Sequence, residues 1–134
     1  MPMDAYPPDA LTIPLDSVRL ADLPRVGGKN AALGELIGGL KQAGVAVPGG
    51  FAVTAFAYRR FLRLAGLEEA LREQIARFRD GRIDLETLGR TARELILSAE
   101  LPAAVADAIR AAYRGMGKAG GPALVAVRSS ATAE

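Results

Sequence analysis

The sequence contains neither cysteine nor histidine. Without cysteine there is no disulfide, no thiolate nucleophile and no Cys-based zinc site. Without histidine the commonest general base and the commonest metal ligand are missing, and so is any phosphohistidine carrier within these residues. Lysine is scarce: Lys29, Lys41 and Lys118 stand among many arginines. The formal net charge is only +2 over 134 residues, which gives no argument for nucleic acid or an anionic membrane as partner. No apolar run is long enough to span a bilayer. The opening Met-Pro-Met-Asp-Ala-Tyr-Pro-Pro-Asp has no basic start and no apolar core of a signal peptide. A cytoplasmic protein is therefore expected. Its chemistry must use carboxylates, arginines, lysines, hydroxyls and backbone amides.

Hydrophobic residues make up 50% of the chain, enough for a core in one domain or part of a larger one. Residues 1–10, rich in proline, read as a flexible leader ahead of a domain over 11–134. Leu11–Pro14 and Val18–Leu20 read as short extended pieces. Pro24 to Asn30 reads as a turn and breaker cluster. Leu33, Leu36, Ile37 and Leu40 recur at helical spacing, with Gly44 as the stop. Two extended pieces are expected around Pro48-Gly49-Gly50, the second being Phe51–Val53.

Thr54 is placed to cap a helix carrying Phe56, Tyr58, Phe61 and Leu62, which Gly66 ends. Leu67, Leu71, Ile75 and Phe78 line a second helical face up to the Asp80-Gly81 turn. Asp84 caps a third helix, and Pro102 opens a fourth. Ala123–Val127, a continuous apolar run, reads as a buried strand. The resulting class is α/β (α+β), a helical block flanked by short strands. If the end strands share one sheet, the glycine cluster and the segment after Val127 meet at one edge.

Two clusters carry chemistry. Gly27-Gly28-Lys29-Asn30 stands directly before a helix. Glycines permit close backbone approach, and the free amides and dipole of a helix start favour an anion. A lysine there is locally unfavourable, and a bound phosphate removes the conflict. The pattern is not a Walker A loop, because Leu23 occupies the place of its first glycine and Asn30 that of its hydroxyl residue. Spacing alone leaves a glycine turn with a solvated lysine open, and as the commoner reading. At the other end Arg128 follows the apolar run and precedes Ser129, Ser130 and Thr132. A planar guanidinium among hydroxyl donors suits a polyphosphate, but an ion pair at a strand end stays open too.

Other features read plainly. Arg59, Arg60 and Arg63 form a solvated helix face. Gly34 and Gly38 mark a close helix contact. Phe51, Phe56, Tyr58 and Phe61 belong to the core. Glu68, Glu69, Asp84 and Glu86 lack the spacing of a metal loop.

Three blocks carry a resemblance. Val26-Gly27-Gly28-Lys29-Asn30-Ala31-Ala32-Leu33-Gly34-Glu35 comes first. Val45-Ala46-Val47-Pro48-Gly49-Gly50-Phe51-Ala52-Val53-Thr54 with Ala57-Tyr58 comes second. Val125-Ala126-Val127-Arg128-Ser129-Ser130-Ala131-Thr132-Ala133-Glu134 is the third. In this order they resemble the dikinases of the phosphoenolpyruvate synthase (pyruvate, water dikinase) type, a family that includes pyruvate phosphate dikinase and rifampin phosphotransferase.

The resemblance implies the first subdomain of an ATP-grasp-like nucleotide-binding domain. It implies ATP phosphate contacts at Lys29 and Arg128, supported by Gly27, Gly28, Ser129, Ser130 and Thr132. It further implies a magnesium requirement, with the metal ligands outside this chain, and no catalytic residue within it. The implied reaction passes the β-phosphoryl of ATP to a histidine on another domain and then to pyruvate, releasing AMP and phosphate. An antibiotic acceptor, as in the rifampin enzyme, is the alternative within the family, and a non-catalytic nucleotide-binding or interaction module is the alternative outside it. Later family motifs, the phosphohistidine domain and the pyruvate-binding barrel are not in the sequence. The expectation is a fragment or truncated product whose run Ala123–Val127 leaves apolar surface uncovered and favours self-association.

Overall fold

The computed structural model describes residues 6–117 and 121–133. These residues form a mostly helical protein with one small sheet, a mixed α/β arrangement. The chain divides into two compact units, Met1–Tyr58 with Ala104–Glu134, and Arg59–Ala103.

The first unit holds the sheet. Strand β1 (Thr12–Pro14) pairs antiparallel with β2 (Phe51–Val53), setting Ile13 opposite Ala52. Two flanking bonds extend the ladder, Leu15 N–H to Gly50 O and Thr54 N–H to Leu11 O, both at 3.0 Å. Between the strands lie a short turn of helix, α1 (Leu23–Val26), and the long helix α2 (Gly28–Gln42). Ile13, Leu15, Val18, Val26, Ala31, Ile37 and Ala52 form one buried cluster. Each larger member contributes roughly 1.5–3 kcal/mol by leaving water. Helix α6 (Ala103–Met116) adds buried Val105.

Thr54 joins the sheet to helix α3 (Ala55–Leu64). Its side chain, 2% exposed, donates to Ala10 O at 2.6 Å and accepts from Ala57 N at 3.1 Å. The expected cap is thus present, and it also ties residue 10 to the strand end. Pro7 is tied in turn, its carbonyl accepting from Arg25 Nη2 at 2.6 Å.

The second unit is built on helix α4 (Leu67–Arg79) packed against α5 (Leu85–Ser98). Gly66 and Gly81 take positive φ at the two turns, as their positions in the sequence suggest. Asp84 caps α5, accepting from Thr87 N at 2.7 Å. Hydrogen bonds from Thr87, through its side chain and its backbone, hold the Asp84 carboxyl below its ordinary pKa. Phe61 and Leu67 are its buried apolar residues.

Several expectations are corrected. Pro24 opens α1 rather than breaking the chain, because proline lacks only an amide that the first helical turn leaves unpaired anyway. Leu20 belongs to a 3-10 turn, not an extended piece. The stretch Val45–Val47 is irregular. Ala123–Val127 joins no sheet: its residues take no regular secondary structure, with Leu124 and Val127 almost wholly exposed. A buried strand needs a partner on each side and a covering layer, and the only sheet among the described residues is the β1–β2 pair. Tyr58 is half exposed, not core. Gly34 does pack closely, but against the backbone of Val18 rather than another helix; a Cβ there would lie 2.8 Å from Val18 C. Among the described residues no helix is long and apolar enough to cross a membrane.

Candidate functional site

Helix α2 begins with a defect in its own sequence. Gly27 is the N-cap residue, at φ +83°, and has no side chain to cap with. The amides of the first helical turn therefore need acceptors from elsewhere. The segment after Val127 supplies them. Ser130 Oγ accepts from Asn30 N at 3.3 Å, and Ala131 O accepts from Gly28 N at 3.1 Å. An N-cap serine ordinarily reaches the third amide of its own helix. Here the same bond is made by a serine from the far end of the chain.

Gly27 makes the approach possible. A Cβ on it would overlap Ser130 Oγ and stand 2.9 Å from Ala131 N. Its positive φ is also a region that side chains disfavour. The Asn30 side chain donates back to Val26 O at 3.0 Å, closing the turn on its other side.

The segment is held at a second point. Tyr113 Oη on α6 donates to Ala123 O at 2.7 Å. The run between these anchors, with Leu124, Val125 and Val127 exposed, carries Arg128 toward the start of α2. Lys29 lies between two residues bonded to the segment, and Arg128 stands two residues before Ser130. Two residues of extended chain span at most ~7 Å. Lys29 and Arg128 are both exposed. The sequence expectation that the two clusters meet is therefore realised, by bonds to a helix start rather than at a sheet edge.

The amides of a helix start were expected to be open to an anion. Those of Gly28 and Asn30 are already engaged by Ala131 and Ser130. An anion at this helix start would meet side chains rather than those two amides. Trans-capping by Ser130 had no signal in the sequence beyond a capless glycine start at one end and a hydroxyl cluster at the other.

A separate cavity of about 470 Å³ lies in the first unit, lined by Asp16, Ile37, Lys41, Gly50, Phe51 and Met116 among others. Ile37 and Lys41 place it toward the C-terminal end of α2, away from Gly27, and neither Lys29 nor Arg128 lines it. At its wall Lys41 Nζ meets Asp16 Oδ2 at 2.9 Å. Among the described residues no group of three or more acidic side chains could hold a metal ion.

The family model of the pyruvate phosphate dikinase AMP/ATP-binding domain matches residues 23–134. The phosphoenolpyruvate synthase of Deinococcus radiodurans is 48% identical over 122 residues, covering 90% of this chain and 15% of that protein. That of Neisseria meningitidis is 45% identical, covering 94% and 16%. That of Synechocystis is 42% identical, covering 97% and 17%. The chain thus spans about one-sixth of the length of these relatives.

Proposed function

The chain belongs to the pyruvate phosphate dikinase AMP/ATP-binding domain family, and on that premise we propose that it forms the first part of the nucleotide site of a phosphoenolpyruvate synthase-type dikinase, with Lys29 and Arg128 on the phosphates of ATP. The observation that carries this reading is the bonding of the Gly28–Asn30 turn to Ser130 and Ala131. It ties together the two segments that bear these cations.

The physical chemistry agrees. Lys29 stands in the first turn of α2, where the helix dipole disfavours a cation. A phosphate beside it converts that repulsion into a shared attraction for one anion. Arg128 offers a fixed fork of donors suited to phosphate oxygens, while Lys29 acts as a point charge. Ser129 directly follows the arginine and Thr132 lies further along the same segment, and both add hydroxyl donors. Gly27 and Gly28 allow the backbone to come close.

Under this reading residues 11–134 bind nucleotide within an ATP-grasp-like domain of a cytoplasmic enzyme. The sequence contains no histidine, so the phosphoryl carrier lies outside these residues. The reaction proposed is that of the relatives' type: ATP, pyruvate and water give phosphoenolpyruvate, AMP and phosphate. The relatives carry the synthase name, which favours pyruvate over an antibiotic acceptor. Magnesium would be held by residues beyond these. The test is ATP-dependent turnover of pyruvate by the full-length protein with Lys29→Ala and Arg128→Ala. A sharp loss in both variants is expected, and normal ATP kinetics in both would refute the assignment.

A further inference from the structure

We propose that Gly27 and Ser130 form a backbone lock, and that Ser130 is a positioning residue for Arg128 rather than a phosphate ligand. The inference rests on the reading of Arg128 as a phosphate contact and adds a role that the reading does not require. Three observations carry it. Ser130 Oγ accepts from the Asn30 amide. The oxygen sits in the space that any side chain at position 27 would fill. Ala131 O takes the Gly28 amide, so two consecutive residues of the segment are held by one helix start.

Arg128 itself is exposed, and Leu124–Val127 before it belongs to no helix or strand. A long flexible cation in that setting has many positions open to it. What limits them is the anchoring of the chain two residues later. A capping bond from Ser130 removes backbone freedom at the arginine and gives α2 a cap in the same step. The lock also explains why the α2 start tolerates a glycine N-cap: the cap is supplied in trans, and only a glycine leaves room for it. Ser130 and Arg128 then divide the work, one fixing the segment and the other meeting the ligand.

The experiment combines residue-resolved amide hydrogen exchange with ATP affinity in the full-length protein. Ser130→Ala should speed exchange of the Asn30 amide by about tenfold or more while barely changing Ala31, whose amide bonds within the helix. It should weaken ATP binding about tenfold when Arg128 is present and less than about twofold in the Arg128→Ala background, because a positioning residue has nothing left to position. Gly27→Ala should release both Gly28 and Asn30. Unchanged Asn30 exchange in Ser130→Ala overturns this proposal alone. An equal loss of affinity from Ser130→Ala in both backgrounds also overturns it and makes Ser130 a direct ligand. Insensitivity of ATP affinity to Arg128→Ala overturns the phosphate reading, and the proposal with it.

Discussion

Ser130 and Asn30, a hundred positions apart, are joined by a hydrogen bond that caps helix α2 from outside its own sequence. The contact depends on Gly27, whose missing side chain leaves the space that Ser130 occupies. It links the two chain segments that make up the first unit and places the lysine and arginine stretches beside each other.

Glycines within α2 should respond in opposite directions. Gly39→Ala meets nothing within 4 Å and should stabilise by roughly 0.5–1 kcal/mol, the usual gain of alanine over glycine in a helix. Gly34→Ala drives a methyl into the Val18 backbone and should destabilise by about 1–3 kcal/mol despite the same helical gain. Urea unfolding of both variants checks this, and equal shifts for the two would refute the packing described.

Thr54 joins three elements through one buried hydroxyl. Thr54→Val keeps the shape but strands the Ala57 amide and the Ala10 carbonyl, at a cost of about 2 kcal/mol. Thr54→Ser should retain most of the stability. Thermal or denaturant unfolding separates the two, and a valine variant as stable as the serine one would contradict the assigned bonds.

The Asp16–Lys41 pair predicts a weak pH effect. The hydrogen bond from Lys41 lowers the Asp16 pKa below the ordinary aspartate value, outweighing some desolvation. A depressed folded pKa contributes stability above the unfolded value, and that stability is lost as pH falls through the folded one. Both side chains are about half exposed, so the pair is worth below about 1 kcal/mol. An NMR titration of the Asp16 carboxyl should show its midpoint rising in Lys41→Met, and high salt should narrow the difference. A midpoint unmoved by the substitution would sink this account.

Much of the fold was legible in the sequence because its signals are local. The caps at Thr54 and Asp84, the stops at Gly44, Gly66 and Gly81, and the helical spacing of α2 and α4 each depend on a few neighbouring residues, although Leu36, Ile75 and Phe78 of the expected apolar faces are exposed. The errors came where the decision is made elsewhere. Pro24 suits a helix start as well as a break, and which it does depends on Leu23–Val26 packing onto α2. The run Ala123–Val127 has strand composition, but a strand exists only if another chain segment pairs with it. Gly34 shows a need for close approach without naming Val18 as what approaches. At the site, Lys29 and Arg128 stood out as cations in suggestive settings. The Ser130 bond that brings their segments together is a contact between distant residues, and no local pattern encodes it.

The exposed apolar run carries a prediction about association. Leu124 and Val127 present their side chains to water on a segment outside any sheet, an apolar surface that invites association. Leu124→Lys with Val127→Thr should reduce concentration-dependent association of the 134-residue chain in sedimentation. An unchanged distribution would place any association elsewhere.

The central claim is that Lys29 and Arg128 contact one polyphosphate, and calorimetric titration of ATP into the full-length protein and its variants tests it most directly. Lys29→Ala and Arg128→Ala should each remove a charge-assisted contact worth roughly 1.5–3 kcal/mol, weakening ATP about 10- to 100-fold, with a smaller effect on adenosine, which lacks phosphates. ATP affinity unchanged in both variants, or an equal loss for adenosine, would contradict the account.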